Sequence, residues 1–403
     1  MSVTAAAGFV ASGVACGVKE SGAPDLALVA TADRRAVPVA AVVTANKAKA
    51  APVLITLTHL AASGGHATAV VLNSGNANAA TGATGREAAQ ATCTAVSAEL
   101  GCSTEEVLVC STGLIGIPLP VERILEGIPK LATDLSSDGA GAALAILTTD
   151  TRVKESVRSG DGWTVGGMAK GAAMLSPRLA PPAPHATTGG GPAPHATMLA
   201  VLTTDAEVDH ATLRSTLTLA AERSFNTIDV DGATSTNDTV ILMASGLAGP
   251  PASMEAFVEA VTEVCRDLAD QMVADAEGAT KRARITVSGA ASPEDAAVAA
   301  RAVAQSQLVQ CSFHGGDPYW GRVVSELGAS GAAFNPELVS VAYGGVTVCA
   351  AGTALDHDAH AVAEHMQGRE LEVVADLGLG TSSATVTTTD LSPAYIAENM
   401  RTS

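Results

Sequence analysis

Short aliphatic runs bounded by Gly, Ser and Asn fill the first third of the chain. Residues 26–30, 53–57 and 68–73 each read as a strand, because β-capable runs of five or six flanked by turn formers favour extended backbone. Residues 106–110 and 198–202 read the same way, as do 282–288 further on. Helical spacing is clearest at Phe257, Val261, Val264, Cys265, Leu268 and Met272, with Glu259, Glu263, Arg266 and Asp270 left for solvent. Residues 84–100, 121–131, 139–147 and 205–223 also read as helices, and Ser292-Pro293-Glu294-Asp295 opens another with a cap and a first-turn proline. A hairpin about Gly344-Gly345 spans 338–349, and 371–377 with 384–388 reads as a further strand pair. Strands and helices alternating irregularly in both halves predict a layered α/β (α+β) sandwich, not a bundle or a solenoid.

Composition narrows the classes of partner. The chain has 403 residues, 47% of them hydrophobic and only 2% aromatic, so its core is aliphatic. A formal charge of −18 opposes nucleic acid and anionic membrane surfaces, both of which the summed field repels. No run of about 18 apolar residues exists to span a bilayer. The N-terminus lacks the basic region of a secretory leader, so a cytoplasmic location is expected. Seven scattered cysteines without a C-x-x-C pair suggest reduced thiols. The cluster Asp356, His357, Asp358, His360 and His365 has no established metal-site spacing and reads as a solvated face, so no metal is expected.

Chemistry concentrates around residues 163–206. Pro182-Ala-Pro-His-Ala-Thr187 repeats as Pro192-Ala-Pro-His-Ala-Thr197 across a glycine run, a tract suited to a surface loop. His185 and His195 lie within it, where geometry is poorly held for a general base. Thr197 ends the tract and begins an apolar strand. If the bond between Ala196 and Thr197 is cut, the new α-amine, with a pKa of about 7.7–8.0, can serve the adjacent hydroxyl as its base. Cys110-Ser-Thr112-Gly113 runs from a strand into a turn that could aim two N–H groups at one oxyanion. Asn73-Ser-Gly-Asn-Ala-Asn78 reads as a tight turn or as a backbone anion nest. Asp275 and Glu277 close a helix against its macrodipole, either as a solvated acidic pair or as a carboxylate held for a ligand amine.

Several blocks together resemble the ornithine acetyltransferase (glutamate N-acetyltransferase) family: Thr44-Ala-Asn46-Lys-Ala-Lys-Ala-Ala-Pro52, Leu72-Asn-Ser-Gly-Asn-Ala-Asn78, Cys110-Ser-Thr-Gly-Leu-Ile-Gly116, Gly166-Gly-Met-Ala-Lys-Gly171, Ala196-Thr-Met-Leu199, Ser235-Thr-Asn-Asp-Thr239, Asp275-Ala-Glu-Gly278 and Asp317-Pro-Tyr-Trp-Gly-Arg322. The resemblance runs from Gly8 to Asn399. It implies an N-terminal-nucleophile-like layered fold and a proenzyme cut between Ala196 and Thr197. An α chain of 1–196, ending in the loop 181–196, and a β chain of 197–403 would then intertwine as α2β2. Thr197 would be the nucleophile, Thr112 and Gly113 the oxyanion donors, and Thr148, Lys170, Thr197, Glu277 and Asn399 the substrate contacts. The implied reaction moves acetyl from N2-acetylornithine to glutamate through an acetyl-threonine, without a cofactor, and acetyl-CoA is a further candidate donor.

Four departures from the family pattern stand out. Residues 181–196 insert 16 positions ahead of Thr197, either as a longer loop that still presents the scissile bond or as one that relaxes it and leaves the chain uncut. Tyr319 stands where Asn is usual, Gln310 where Lys is usual, and the tail after Asn399 is short. Two alternatives remain open: an amidase or acyltransferase of specialised metabolism on the same fold, and an unprocessed, inactive paralogue.

Overall fold

The computed structural model describes residues 3–182 and 198–400, in two compact units. The first comprises Met1–Asn226 and Thr234–Asp275 and the second Thr227–Ala233 and Ala276–Arg401, as far as these ranges are described.

In the first unit the strands are β1 (Phe9–Val14), β2 (Leu26–Thr31), β3 (Val37–Thr44), β4 (His66–Ala67), β5 (Ala69–Asn76), β6 (Val107–Leu114), β7 (Lys154–Ser159), β8 (Thr164–Lys170), β9 (Leu179–Ala180), β10 (Leu199–Thr204) and β11 (Thr239–Ala244). The helices are α1 (Ala51–Ala62), α2 (Gly82–Leu100), α3 (Val121–Thr133), α4 (Ala140–Ala145), α5 (His210–Glu222) and α6 (Met254–Ala274). One sheet has the order β1-β2-β5-β6 and the other β4-β3-β11-β10-β8-β7, with β9 against β3.

Alternation along the strands sets the layering. In β2, Ala27 and Val29 point into a core shared with Val39, Ala41, Met168, Val201 and Ile241 of the second sheet. Leu26, Leu28 and Ala30 point the opposite way, onto Cys93 and Val96 of α2 and Ile124 and Ile128 of α3. Both faces of the strand are therefore apolar, which is why its sequence reads as a continuous run. The far face of the second sheet meets α6 at Gly167, where an added Cβ would approach Leu268 and Val264. The result is a helix–sheet–sheet–helix sandwich, the layered α/β arrangement expected.

Two expectations differ from what forms here. Residues 53–57 lie in helix α1, with a proline in its first turn and Val53, Thr56 and Leu60 buried along one face. A five-residue apolar run cannot separate helix from strand by period; in the helix the hydroxyl of Thr56 bonds to the Val109 carbonyl at 2.7 Å. Helix α5 starts at His210, not 205, because the Asp209 carboxylate caps it by accepting from Thr212 N–H.

The second unit carries β12 (Arg282–Ala290), β13 (Ser340–Tyr343), β14 (Val346–Ala350), β15 (Thr353–Ala354), β16 (Glu370–Asp376) and β17 (Ser382–Thr389) in the order β15-β14-β13-β16-β12-β17. Its helices are α7 (Pro293–Gln305), α8 (Gln307–Gly315), α9 (Trp320–Ala329), α10 (Ala359–Gln367) and α11 (Pro393–Asn399). β16 and β17, expected to pair, instead flank β12, one parallel and the other antiparallel. On β12 the residues Ala283, Ile285 and Val287 face the helices and are buried, while Arg284 faces out. Such alternation marks a sheet covered on one face.

Candidate active site

The turn at Thr112-Gly113 is built by two parallel strands. β5 and β6 run side by side in register, with Ser74 opposite Thr112 and Gly75 opposite Gly113. Gly113 holds φ +126°, and a Cβ there would lie 2.3 Å from the Gly75 carbonyl carbon. Only glycine allows the backbones to approach so closely. The loop after β5 is not an anion nest. The N–H groups that would form it are engaged, Ser74 donating to the Asp25 carbonyl and Ala77 to the Leu114 carbonyl, each at 2.9 Å, and Asn78 to the Asn76 side chain at 2.8 Å. Asn237, from the 235–239 block, braces the same place by donating to the carbonyls of Ala77 and Ser111 at 2.7 and 2.9 Å.

Lys170, the last residue of β8, is fully buried. Its ammonium donates to the hydroxyls of Thr148 at 2.6 Å and Thr112 at 3.1 Å, bringing three sequence-identified residues to one point. The Thr112 hydroxyl is buried and already accepts from this cation, so its own proton is directed elsewhere. Lys170 also pairs across the sheet with Leu199 of β10. Just ahead of Leu199, the Met198 N–H donates to the Asp238 carboxylate at 3.0 Å, which fixes where the strand begins. Thr197 and Ala196 lie outside the described residues, as do His185, His195 and Thr187.

Charge around Lys170 is balanced in a way the sequence did not disclose. Asp150, also buried, lies 3.6 Å from the Lys170 ammonium and 2.7 Å from that of Lys154. Lys154, itself fully buried, reaches Asp275 at 2.6 Å. Burial alone would raise the Asp150 carboxyl, but the ammoniums of Lys170 and Lys154 and the Gly171 N–H outweigh it and hold the group far below the usual carboxylate range. Asp275 is therefore an ion-pair partner rather than half of a solvated pair, and Thr151 also bonds to it. Asp150 and Lys154 were hidden because Thr148-Thr-Asp-Thr151 reads as ordinary helix-closing chemistry. The available signal was a carboxylate four residues ahead of a lysine in a stretch too short for an exposed helix. Lys19 was also missed. Its side chain passes over Gly75, and burial lowers its ammonium, against the pull of Asp25 and with the push of Lys170.

Glu277 and Asn399 come together in the second unit. The Asn399 amide donates to the Glu277 carboxylate at 2.9 Å and to the Tyr395 carbonyl at 3.0 Å. Tyr395 donates to Asp231 at 3.3 Å, and burial followed by that carboxylate pushes its phenol upward. Gln310, in place of lysine, is buried and shares its amide protons among the Val230 and Ala304 carbonyls and the Thr388 hydroxyl. Tyr319 is exposed beneath the Arg322 guanidinium. Asp358 caps α10, and among the described residues no group of three His, Cys, Asp or Glu is placed to hold a metal. No helix among them is long and apolar enough to cross a membrane.

A family model described as the ArgJ family matches residues 10–402. The arginine biosynthesis bifunctional protein ArgJ of Streptomyces avermitilis is 48% identical over 400 residues, covering 99% of this chain and 99% of that protein. Proteins of the same name are 46% identical in Thermobifida fusca, covering 99% of both chains, and 44% identical in Mycobacterium tuberculosis, covering 98% of this chain and 95% of that one. Among solved structures, an ornithine acetyltransferase from Mycobacterium tuberculosis complexed with ornithine is 48% identical over 44% of this chain and 96% of its own, with a TM-score of 0.43.

Proposed function

This chain belongs to the ArgJ family, and on that premise we propose that it is an acyltransferase of arginine biosynthesis moving acetyl from N2-acetylornithine to glutamate. The relatives are named bifunctional, which supports acetyl-CoA as a second acetyl donor to glutamate. The observation that carries the reading is the convergence of the Lys170 ammonium on the Thr112 and Thr148 hydroxyls at the sheet end where β10 begins. Met198, the residue that follows the proposed nucleophile in sequence, is anchored there by its N–H on the Asp238 carboxylate at 3.0 Å.

Cleavage between Ala196 and Thr197 frees the Thr197 α-amine, which takes the proton from Thr197 Oγ as the oxygen attacks the acetyl carbonyl. The oxyanion so formed is held by the Thr112 hydroxyl and the Gly113 N–H, and each such donor contributes on the order of 10²–10³ in rate. The carbon–nitrogen bond then breaks, and the Thr197 ammonium returns the proton to the departing ornithine amine. Glutamate attacks the acetyl-threonine by the same path in reverse, and N-acetylglutamate leaves. Lys170 and Thr148 neutralise and orient the substrate carboxylate; Glu277 and Asn399 receive the substrate amine. The active molecule is an α2β2 assembly of the 1–196 and 197–403 chains.

Incubating the purified protein with acetylornithine and [14C]glutamate tests this, with labelled N-acetylglutamate and stoichiometric ornithine as the expected products. A fully cleaved sample that releases no ornithine would overturn it. Transfer confined to other acyl donors would point to an amidase or acyltransferase of different specificity.

A further inference from the structure

We propose that Asp150 is the positioning residue for this site, the buried anion that keeps Lys170 charged and aimed at Thr112 and Thr148; the inference rests on the acetyl-transfer reading above. An ammonium with no solvent exposure loses its proton unless an anion is near, and the described carboxylate nearest Lys170 is Asp150 at 3.6 Å. The same carboxylate does more than balance charge. Oδ1 accepts from the Gly171 N–H at 2.6 Å, fixing the backbone just beyond Lys170. Oδ2 accepts from the Thr148 N–H at 3.2 Å, fixing the residue whose hydroxyl receives the Lys170 proton. One side chain thus sets both the cation and an acceptor it points at.

Lys154 and Asp275 have a different part. Lys154 would claim the whole of Asp150 at 2.7 Å were it not also paired with Asp275 at 2.6 Å. Two lysines balance two aspartates within the quartet, the half-exposed Arg152 guanidinium adds a contact to Asp275 at 3.9 Å, and the Lys154–Asp275 pair lets Asp150 remain shared with Lys170. A neutral buried network with every member paired tolerates low dielectric; one left with a single unmatched charge does not. Two double substitutions, each removing Lys154 and one of the two aspartates, therefore keep the quartet neutral. D150N/K154M removes the anion of Lys170, and K154M/D275N leaves the Asp150–Lys170 pair intact.

Acetyl transfer is measured for both beside the wild type, with kcat and KM separated for acetylornithine. D150N/K154M should lose about 10²–10³ in kcat, the scale of an oxyanion donor that is no longer held, while K154M/D275N should stay within about tenfold of wild type, since it keeps the Asp150 carboxylate and its contacts to Lys170, Gly171 and Thr148. Equal kcat in the two variants overturns the assignment, because a merely structural quartet suffers equally from either loss. A crystal structure of D150N gives a readout that needs no activity: Lys170 Nζ should leave the Thr112 and Thr148 hydroxyls, and its staying within hydrogen-bond reach of both overturns the proposal. If the wild type transfers no acetyl, the acetyl-transfer reading has failed while this structural measurement still decides the role of Asp150. D150E, which keeps the anion, should recover part of the lost kcat if D150N/K154M does not fold; no recovery above the D150N single variant counts against the assignment.

Discussion

Replacing Gly113 by alanine separates the packing demand of the oxyanion turn from the ordinary price of a positive φ. At φ +126° an L-residue is strained, and forcing such a residue into left-handed backbone costs about 1–2 kcal/mol. The new Cβ also meets backbone, 2.3 Å from the Gly75 carbonyl carbon and 2.5 Å from the Asn76 nitrogen. Neither can swing aside like a side chain, so β5 must shift, and overpacking of this kind costs about 1–3 kcal/mol. The sum is about 2–5 kcal/mol. For a unit of this size, each kcal/mol lowers Tm by about 2–4 °C, giving a drop of about 4–20 °C. Gly101 is the control: it holds φ +71° at the end of α2, but a Cβ there meets nothing within 4 Å. G101A should therefore lose about 2–8 °C from strain alone and keep wild-type turnover. G113A, assayed well below its Tm, should lose about 10²-fold or more in kcat as the Thr112-Gly113 donors move. Thermal melts and acetyl-transfer kinetics on both proteins decide it. A G113A protein as stable as G101A, or with wild-type kcat, would refute the reasoning.

T197A should persist as one 40.0 kDa band on a denaturing gel while the wild type resolves into two, the smaller-numbered chain ending at Ala196; a wild type that stays single on prolonged incubation refutes the processing. K170M should lower kcat/KM by about 10²-fold or more and also destabilise, because it leaves Lys154 alone to balance the buried Asp150 and Asp275; an unchanged Tm by calorimetry counts against the Asp150 contact. N399A removes the amide on Glu277 and should raise KM for acetylornithine several-fold with Tm nearly unmoved, since Asn399 is exposed; equal losses in kcat and Tm would contradict this. Asp390 carries a pH prediction. Burial raises its carboxyl, but the Thr280 hydroxyl, the His314 ring and the N–H groups of Lys281 and Thr280 together hold it below the usual value. A depressed folded pKa contributes stability that is full above the unfolded value of about 3.9 and is lost as pH falls through the folded one. Urea melts from about pH 5 down to about pH 3 should therefore show a shallower fall for D390N than for wild type, and identical slopes would sink the idea.

What the sequence made legible was whatever depends on local pattern. β2 reads as a strand because both its faces are buried, α6 because its apolar face repeats at helical spacing, and α7 because Ser292 and Pro293 announce its start. The run 53–57 differs because five apolar residues carry no period; the helix shows in the first-turn proline ahead of it and in Val53, Thr56 and Leu60 buried along one face. The pairing of β16 and β17 failed for a related reason, since adjacency in sequence does not say which strand inserts between two others. At the site, Thr112 and Gly113 were nameable from their turn, Thr148 and Lys170 from the family resemblance, and the structure brings the Thr112 and Thr148 hydroxyls within hydrogen-bond reach of Lys170. The Lys154–Asp275 pair was not, because an ion pair between residues 121 apart has no signature in either segment alone. Asp275 looked like a poor helix ending, an acid against the negative end of the dipole. That local misfit was the trace of a distant lysine, and it shows where such networks can be sought: a charge that is wrong for its own helix is a charge whose partner lies elsewhere in the fold.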